Sequence, residues 1–149
     1  MRVAITGGAG NIGRHVCRAV SEAGQTPVCV DRGPPAEEGE HAVVDLCDAG
    51  QTLRALESVE AVVHFAAIPD PFSDPAEEVM GVNTMTALNV FDAVRRHGIG
   101  RVVYGCSESC SGFGIHNVSL KPRYVSIDED HPCRPRDSWR EFETWEAEL

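Results

Sequence analysis

Short, continuously apolar runs alternate with longer amphipathic stretches along most of the chain. Five apolar runs rich in β-branched side chains predict buried strands, at residues 2–5, 26–31, 41–44, 61–67 and 101–104. Apolar side chains at helical spacing predict helices at residues 12–24, 52–58 and 75–97. Strands without polar alternation are typical of a parallel sheet covered on both faces. With right-handed crossovers, the pattern predicts one doubly wound α/β domain over residues 1–149, with strand order 3-2-1-4-5.

The connection between the first strand and the first helix is rich in glycine. It reads Thr6-Gly7-Gly8-Ala9-Gly10-Asn11-Ile12-Gly13. Gly7 permits a sharp exit from the strand, Gly10 lets backbone N–H groups approach a diphosphate, and Gly13 lets the helix pack close to the sheet. An acidic residue, Asp31, ends the second strand about 20 positions further on, as in dinucleotide-binding units. The arrangement predicts a dinucleotide-binding turn of the Rossmann type.

The residues at the end of the second strand bear on which dinucleotide is bound. Asp31 would accept hydrogen bonds from both hydroxyls of the adenosine ribose, and its charge would repel a 2′-phosphate. Arg32 leaves the alternative open, because a neighbouring arginine can accept a 2′-phosphate. We predict NAD as the cofactor, with NADP less favoured, and both residues as cofactor contacts.

The charge and composition exclude several classes of partner. Lysine and arginine number 13 against 23 acidic residues, and the net charge is −10. An acidic chain without a basic stripe argues against nucleic acid and anionic membranes as partners. No apolar run approaches the roughly 20 residues of a membrane span, and the chain begins with a strand rather than a signal peptide. We expect a protein that acts on a small molecule.

The cysteines bear on compartment and on metal binding. All six are scattered through predicted helix, strand and loop, which is typical of reduced, cytoplasmic proteins. A metal site is conceivable from Cys106, Cys110, His116, His131 and Cys133. These residues lack paired Cys-x-x-Cys spacing, so we predict no metal site.

Further motifs follow the glycine turn and Asp31 in order along the chain. They are Asp45-Leu46, His64-Phe65-Ala66-Ala67, Val82-Asn83, Val102-Val103-Tyr104-Gly105-Cys106-Ser107, and the stretch from Pro122-Arg123-Tyr124 through Ile127-Asp128-Glu129-Asp130-His131-Pro132. Together these residues resemble the extended short-chain dehydrogenases/reductases, the NAD-dependent epimerase/dehydratases. The resemblance covers essentially the whole chain and implies a cofactor-dependent enzyme.

The resemblance also implies roles for individual residues. Asp45 and Leu46 would contact the adenine. Ala66 and Ala67 would line the cofactor, and Asn83 would organise the active site. The complete set of predicted cofactor-binding residues is Gly7, Gly10, Asn11, Ile12, Gly13, Asp31, Arg32, Asp45, Leu46, Ala66, Ala67 and Asn83.

The chain departs from the family at the catalytic Tyr-x-x-x-Lys pair. In the family, the lysine lies one helical turn from the tyrosine and lowers its pKa, so that tyrosine passes a proton while hydride moves. Trp139 stands where the tyrosine belongs, and Glu143 stands where the lysine belongs. An indole cannot shuttle a proton as a phenol does, and a carboxylate reverses the charge. The usual redox mechanism should therefore not operate.

Two functions are favoured over retained dehydrogenase activity with another proton donor, such as Tyr104 or a water, and over a degenerate copy without a role. One is an atypical epimerase/dehydratase-like enzyme that isomerises, cyclises, eliminates from or epimerises a small oxygenated metabolite. Its candidate catalytic residues are Ser107 as an orienting hydroxyl, with Glu108 and Glu143 as general acid or base. Ser109 is a rival to Ser107, because the register of that loop is open by a residue or two. The alternative is a catalytically inactive NAD-binding sensor or regulatory subunit.

Two apolar surfaces predict a homodimer. The helix at residues 75–97 carries apolar side chains on more than one stripe, and the fifth strand has an apolar outer edge. Family members continue further, so the chain looks C-terminally truncated, and either its last helix or a second subunit would cover that edge. That helix is predicted from the capping box Ser138-x-x-Glu141 and from an apolar stripe that comprises Trp139, Phe142, Trp145 and Leu149. A C2 dimer is the simplest assembly.

Overall fold

The computed structural model describes residues 1–34, 39–70, 74–107 and 122–132. The chain divides into two compact units, Met1–Gly105 and Cys106–Leu149. The single domain expected over residues 1–149 stays a prediction. None of the helices in the described ranges combines the length and apolar character that a membrane span needs.

The first unit alternates strands and helices around a parallel sheet. Its elements are β1 (Arg2–Thr6), α1 (Gly13–Glu22), β2 (Thr26–Asp31), β3 (Glu40–Val43), α2 (Ala49–Ala55), β4 (Ala61–His64), α3 (Ala76–His97) and β5 (Val102–Tyr104). All the pairings are parallel, and the strand order is β3-β2-β1-β4-β5. The doubly wound fold and its predicted strand order are confirmed.

The two faces of the sheet pack against different helices. Alternate residues of a strand point to opposite faces, so Ala4 of β1 joins a buried cluster with Leu56 and with Val90 of α3. Ile5, the next residue, joins a second cluster with Cys17 of α1 on the other face. The central strands are therefore apolar at every position, as a sheet covered on both sides requires.

Helix α2 begins earlier than predicted. The apolar pattern indicated residues 52–58, whereas the helix runs over Ala49–Ala55. Asp48 is the N-cap, and its carboxylate accepts a hydrogen bond of 2.9 Å from the Gln51 backbone N–H. This bond satisfies one of the N–H groups that the first turn leaves without an intrahelical acceptor. The cap, rather than the apolar pattern, sets the start of the helix.

Helix α3 has charges that match its dipole and a second apolar face. Glu77 and Glu78 lie in the first turn, basic residues fill the last turn, and Gly98 ends the helix in the left-handed conformation. Met85 and Leu88 are each 44% exposed. The second apolar stripe predicted for this helix is present, and the homodimer inferred from it stays a prediction.

Replacement of Leu56 by alanine tests the packing between α2 and the sheet. The side chain is completely buried, so Leu56→Ala should lower the free energy of unfolding by about 2–5 kcal/mol in urea titrations. Leu88→Ala, at an exposed position of α3, removes the same atoms and should change it by only about 0.5 kcal/mol. Equal losses in the two variants would contradict the assigned core.

Candidate cofactor site

The glycine turn folds back on itself at the carboxyl end of β1. The Gly7 N–H donates to the Val30 carbonyl oxygen at 2.9 Å, and the Gly10 N–H donates to the Gly7 carbonyl oxygen at 3.0 Å. Gly7 has a φ of +69°, in the left-handed region that favours glycine. A Cβ atom at Gly13 would overlap the Gly7 carbonyl group. The turn and α1 therefore approach each other too closely for any side chain at Gly13.

The N-terminus of α1 opens into this turn without a capping side chain. Its N-cap residue is Ile12, which makes no side-chain hydrogen bond, and the first helical turn contains no acidic residue. Backbone N–H groups and the positive end of the helix dipole are thus presented to a negatively charged group. A dinucleotide diphosphate requires such a cradle, so the residues present fit the cofactor.

Asp31 joins the glycine turn to the end of β2. One carboxylate oxygen accepts the Ala9 N–H at 3.0 Å, and the other accepts the Gly33 N–H at 2.8 Å. Each carboxylate oxygen has two acceptor sites, so both retain capacity for a ligand hydroxyl. The two backbone bonds fix the orientation of the carboxylate at the wall of the cleft.

These elements surround a cleft of about 680 Å³ at the carboxyl ends of the strands. Eleven of the twelve predicted cofactor residues line the cleft: Gly7, Gly10, Asn11, Ile12, Gly13, Asp31, Arg32, Asp45, Leu46, Ala66 and Ala67. Sequence reasoning did not assign Cys47, Ile68, Pro69 and Thr86 to the cleft, although they also line it. All four lie within a few residues of a motif position, and this proximity was the only sequence signal that pointed to them.

The wall that follows β3 is held by Asp45. Its carboxylate accepts the Cys47 N–H at 3.0 Å, and its own N–H donates to the Gln51 side chain at 3.2 Å. Burial and the Asp45 charge raise the pKa of the Cys47 thiol, and Arg32 opposes this shift. The thiol is therefore protonated at neutral pH. It forms part of the cleft wall and is not activated as a nucleophile.

Asn83 is the predicted cofactor residue that does not line the cleft. Its side chain is 4% exposed, accepts the Ile68 N–H at 2.8 Å and donates to the Ile68 carbonyl oxygen at 3.2 Å. It thereby fixes the loop after β4, which carries Ala66 and Ala67. This arrangement gives Asn83 a positioning role, and its direct contact with a cofactor stays a prediction.

A buried hydrogen bond between Thr6 and His64 supports the same loop. Thr6 Oγ1 lies 2.6 Å from His64 Nδ1 and accepts the Phe65 and Ala66 N–H groups at 3.2 and 3.4 Å. Because those amides donate to the hydroxyl oxygen, the hydroxyl proton is directed to Nδ1, and the imidazole carries its proton on Nε2. Burial lowers the pKa of His64 to about 4, which keeps the ring neutral.

The predicted catalytic residues are not tested by this geometry. Ser107 belongs to the second unit and is partly buried. Glu108, Ser109 and Glu143 lie outside the described residues, as does Trp139. Among the described residues, no group of three or more histidine, cysteine or acidic side chains could hold a metal ion.

In the second unit, residues 122–132 form a small hydrogen-bonded turn. The Tyr124 hydroxyl donates to Asp128 at 2.6 Å, and its ring centroid lies 5.0 Å from that of His131. His131 Nε2 accepts the Arg123 N–H at 3.0 Å. The bond to Asp128 raises the pKa of Tyr124 to about 12. This phenol is therefore protonated at neutral pH.

Comparison with known proteins identifies the family. The model of the NAD dependent epimerase/dehydratase family matches residues 3–139, so the chain belongs to that family. The resemblance predicted from the motifs is confirmed, and NAD, the predicted cofactor, agrees with the family's dependence on it.

Individual relatives cover most of this chain. The chain is 30% identical over 138 residues to a uronate dehydrogenase of Pseudomonas syringae pv. tomato, an alignment that covers 90% of this chain and 47% of the relative. A UDP-glucose 4-epimerase of Mus musculus is 29% identical over 155 residues, with coverage of 88% and 42%. A short-chain dehydrogenase/reductase superfamily protein of Agrobacterium tumefaciens, solved with bound NAD, has a TM-score of 0.82 at 27% identity, with coverage of 99% and 43%. The chain thus spans less than half the length of these relatives.

The low pKa of His64 predicts a pH-dependent stability. An unfolded histidine has a pKa of about 6.5, whereas the folded value is about 4, so the unfolded state binds the proton more tightly between these pH values. The free energy of unfolding should fall as pH drops from about 6.5 to 4, by up to about 3 kcal/mol. His64→Asn, whose amide oxygen can accept the Thr6 hydroxyl, should flatten this slope in urea titrations across that range.

Exposed His15 on α1 supplies the control for this experiment. His15→Asn should keep the wild-type slope, because no buried imidazole is removed. A His64→Asn slope identical to that of the wild type would refute the buried neutral histidine.

Proposed function

We propose that the chain binds NAD(H) in the cleft at the carboxyl ends of the strands. The observation that carries the proposal is the Asp31 carboxylate, held by the Ala9 and Gly33 amides beside the uncapped N-terminus of α1. The N–H groups of the glycine turn would hold the diphosphate, and Asp31 would accept the ribose hydroxyls. When bound, NAD supplies hydride transfer. The family's dependence on NAD supports this assignment.

The charges in the cleft support NAD over NADP. A 2′-phosphate beside Asp31 would meet a carboxylate that its two backbone amides hold in place. Arg32 also lines the cleft and supplies the opposite charge. Its influence reaches Cys47, where it opposes the rise in the thiol pKa. We therefore infer a preference for NAD that Arg32 reduces and does not reverse.

For the substrate, we propose a small sugar-derived metabolite. A uronate dehydrogenase and a UDP-glucose 4-epimerase are among the relatives, and both names describe carbohydrate substrates. Both are enzymes, which supports an enzymatic role for this chain. The small-molecule partner and the cytoplasmic location expected from the sequence belong to the same proposal.

The proposed chemistry is atypical for the family. Trp139 and Glu143 stand at the positions of the tyrosine and lysine, so proton transfer would pass to a carboxylate. Glu143 or Glu108 would act as general acid or base, and Ser107 would orient the substrate through its hydroxyl. In an isomerisation next to a carbonyl group, the carboxylate would take the α-proton and return it to another atom of the substrate. In an elimination it would take the same proton, and a β-hydroxyl group would leave as water after receiving a proton from the second carboxylic acid.

A non-catalytic sensor is the second candidate. The same two positions support it, because the chain replaces both members of the catalytic pair while every glycine of the cofactor turn is present. Such a protein would bind NAD(H) with the affinity of an enzyme and turn over nothing.

Replacing Asp31 tests the cofactor assignment. Asp31→Asn removes the charge and one acceptor oxygen, so calorimetry should show a dissociation constant for NAD+ raised about 10- to 100-fold. Discrimination against NADP+ should shrink at the same time. Glu57→Gln, an exposed position outside the cleft, removes the same charge and should leave both affinities unchanged. Failure of the wild-type protein to bind NAD+, NADH, NADP+ and NADPH would overturn the proposal.

Replacing Glu143 separates the enzyme from the sensor. Proton NMR of uronic acids and UDP-sugars incubated with the protein and NAD+ detects oxidation and isomerisation alike. If Glu143 transfers the proton, Glu143→Gln should lower turnover about 100- to 10,000-fold with NAD+ affinity intact. Glu146→Gln, three residues further on, is the matched control. A fully active Glu143→Gln variant excludes this residue as the acid or base, and NAD+ binding without turnover of any compound favours the sensor.

A further inference from the structure

Helix α3 bonds to two loops that form different walls of the cleft. Residues 45–47, which follow β3, and residues 65–69, which follow β4, line the cleft on either side of the glycine turn. We call these segments the β3 loop and the β4 loop. The side chain of Asn89 reaches the first loop, and that of Asn83 reaches the second. One helix therefore holds both walls.

The sheet order assigns each loop to one end of a bound dinucleotide, and this step rests on the proposed binding of NAD(H). The diphosphate would lie at the turn after β1, and the adenosine ribose would lie at Asp31, after β2. In the order β3-β2-β1-β4-β5, the end of β3 lies beyond Asp31, and the end of β4 lies on the far side of β1. The β3 loop is thus on the adenosine side of the cleft, and the β4 loop is on the nicotinamide side.

In the β3 loop, the Leu46 carbonyl oxygen accepts the bond from α3. Asn89 Nδ2 donates to this oxygen at 2.8 Å. The Thr52 hydroxyl lies 3.2 Å from the same oxygen, but it lies 2.9 Å from the Asp48 carbonyl oxygen at the start of α2. A hydroxyl has one proton to donate, and the nearer acceptor takes the larger share of it. Asn89 is therefore the principal donor to Leu46, which is buried.

In the β4 loop, the side chain of Asn83 bonds both polar groups of the Ile68 backbone. Thr86 adds a weaker contact, because its hydroxyl lies 3.4 Å from the Ala66 carbonyl oxygen and only 3.0 Å from the Asn83 carbonyl oxygen of its own helix. Asn83 and Asn89 are six positions apart, about 9 Å along a helix axis. This separation lets each asparagine serve its own loop.

We propose that α3 positions the two ends of the cofactor separately, with Asn89 fixing the β3 loop against the adenosine and Asn83 fixing the β4 loop against the nicotinamide nucleoside. Neither asparagine lines the cleft, so both act through a loop and are positioning residues. Loss of either donor would leave a carbonyl group poorly paired and would loosen one loop only. Because a single helix carries both residues, α3 also fixes the distance between the two walls.

Alanine replacements of the two asparagines test this division. Asn89→Ala should raise the dissociation constants of AMP and NAD+ by the same factor, about 10-fold, because both ligands contain the adenosine. Asn83→Ala should raise the constant for NAD+ by a similar factor and leave that for AMP unchanged. NMR titrations of the full chain measure each ligand separately. Thr84→Val is the matched control and should change neither constant, because the Thr84 hydroxyl bonds the Met80 carbonyl oxygen within α3.

Two further variants and a measurement without ligand guard against a loss of folding. Asn89→Asp and Asn83→Asp keep the size of the side chain, remove its N–H donors and should give the same pattern. Circular dichroism verifies that each variant is folded. Amide hydrogen exchange without ligand should accelerate at Asp45 and Cys47 in Asn89→Ala, and at Ile68 in Asn83→Ala.

The outcomes distinguish this inference from the cofactor proposal. If the wild type binds NAD+ but the two alanine variants weaken AMP equally, or neither weakens it, the inference is overturned and the cofactor proposal stands. If the wild type binds neither ligand, the cofactor proposal fails, and with it the assignment of the two ends. Exchange that accelerates in one loop for each variant would still support separate anchoring, whereas acceleration in both loops or in neither overturns it.

Discussion

At the carboxyl end of β1, polar groups from three segments of the chain come together where Thr6 and His64 are buried. These groups have to find hydrogen-bond partners among themselves. The Thr6 hydroxyl bonds His64 and the first two amides after β4, and the next residue, Gly7, bonds the end of β2. A buried polar group without a partner is costly, so these bonds form together or the loops do not hold their positions. The cleft depends on this junction, because its walls start from the strand ends that the junction ties together.

Local patterns determine much of this fold, and the cofactor turn most of all. The glycines, Asp31 and the apolar strands each have a short-range signature, and the strand order follows from the handedness of crossovers. The start of α2 is different, because the Asp48 side chain caps the helix through the Gln51 N–H. The apolar pattern alone does not contain this cap, and it places the helix three residues late.

The pairing of Thr6 with His64 has no comparable local signal. The two residues are 58 positions apart and meet only because β1 and β4 lie in the register that places them opposite each other. The tautomer and the low pKa of the imidazole follow from that contact. Likewise, the sequence marks Asn83 as important, but its bonds to Ile68 become evident only once α3 packs beside the loop. Local sequence patterns do not reveal the contacts by which a residue holds another segment of the site in position.

The two amides on Asp31 constrain how cofactor preference can change during evolution. In the proposed NAD(H) complex, the Asp31 carboxylate contacts the ribose. Here the same oxygens also hold the Ala9 end of the glycine turn and the loop at Gly33. A replacement at this position would alter the shape of the glycine turn together with the proposed contact to the ribose. A lineage moving toward the phosphorylated dinucleotide would therefore need a coordinated set of substitutions, and single-step intermediates would bind both forms poorly.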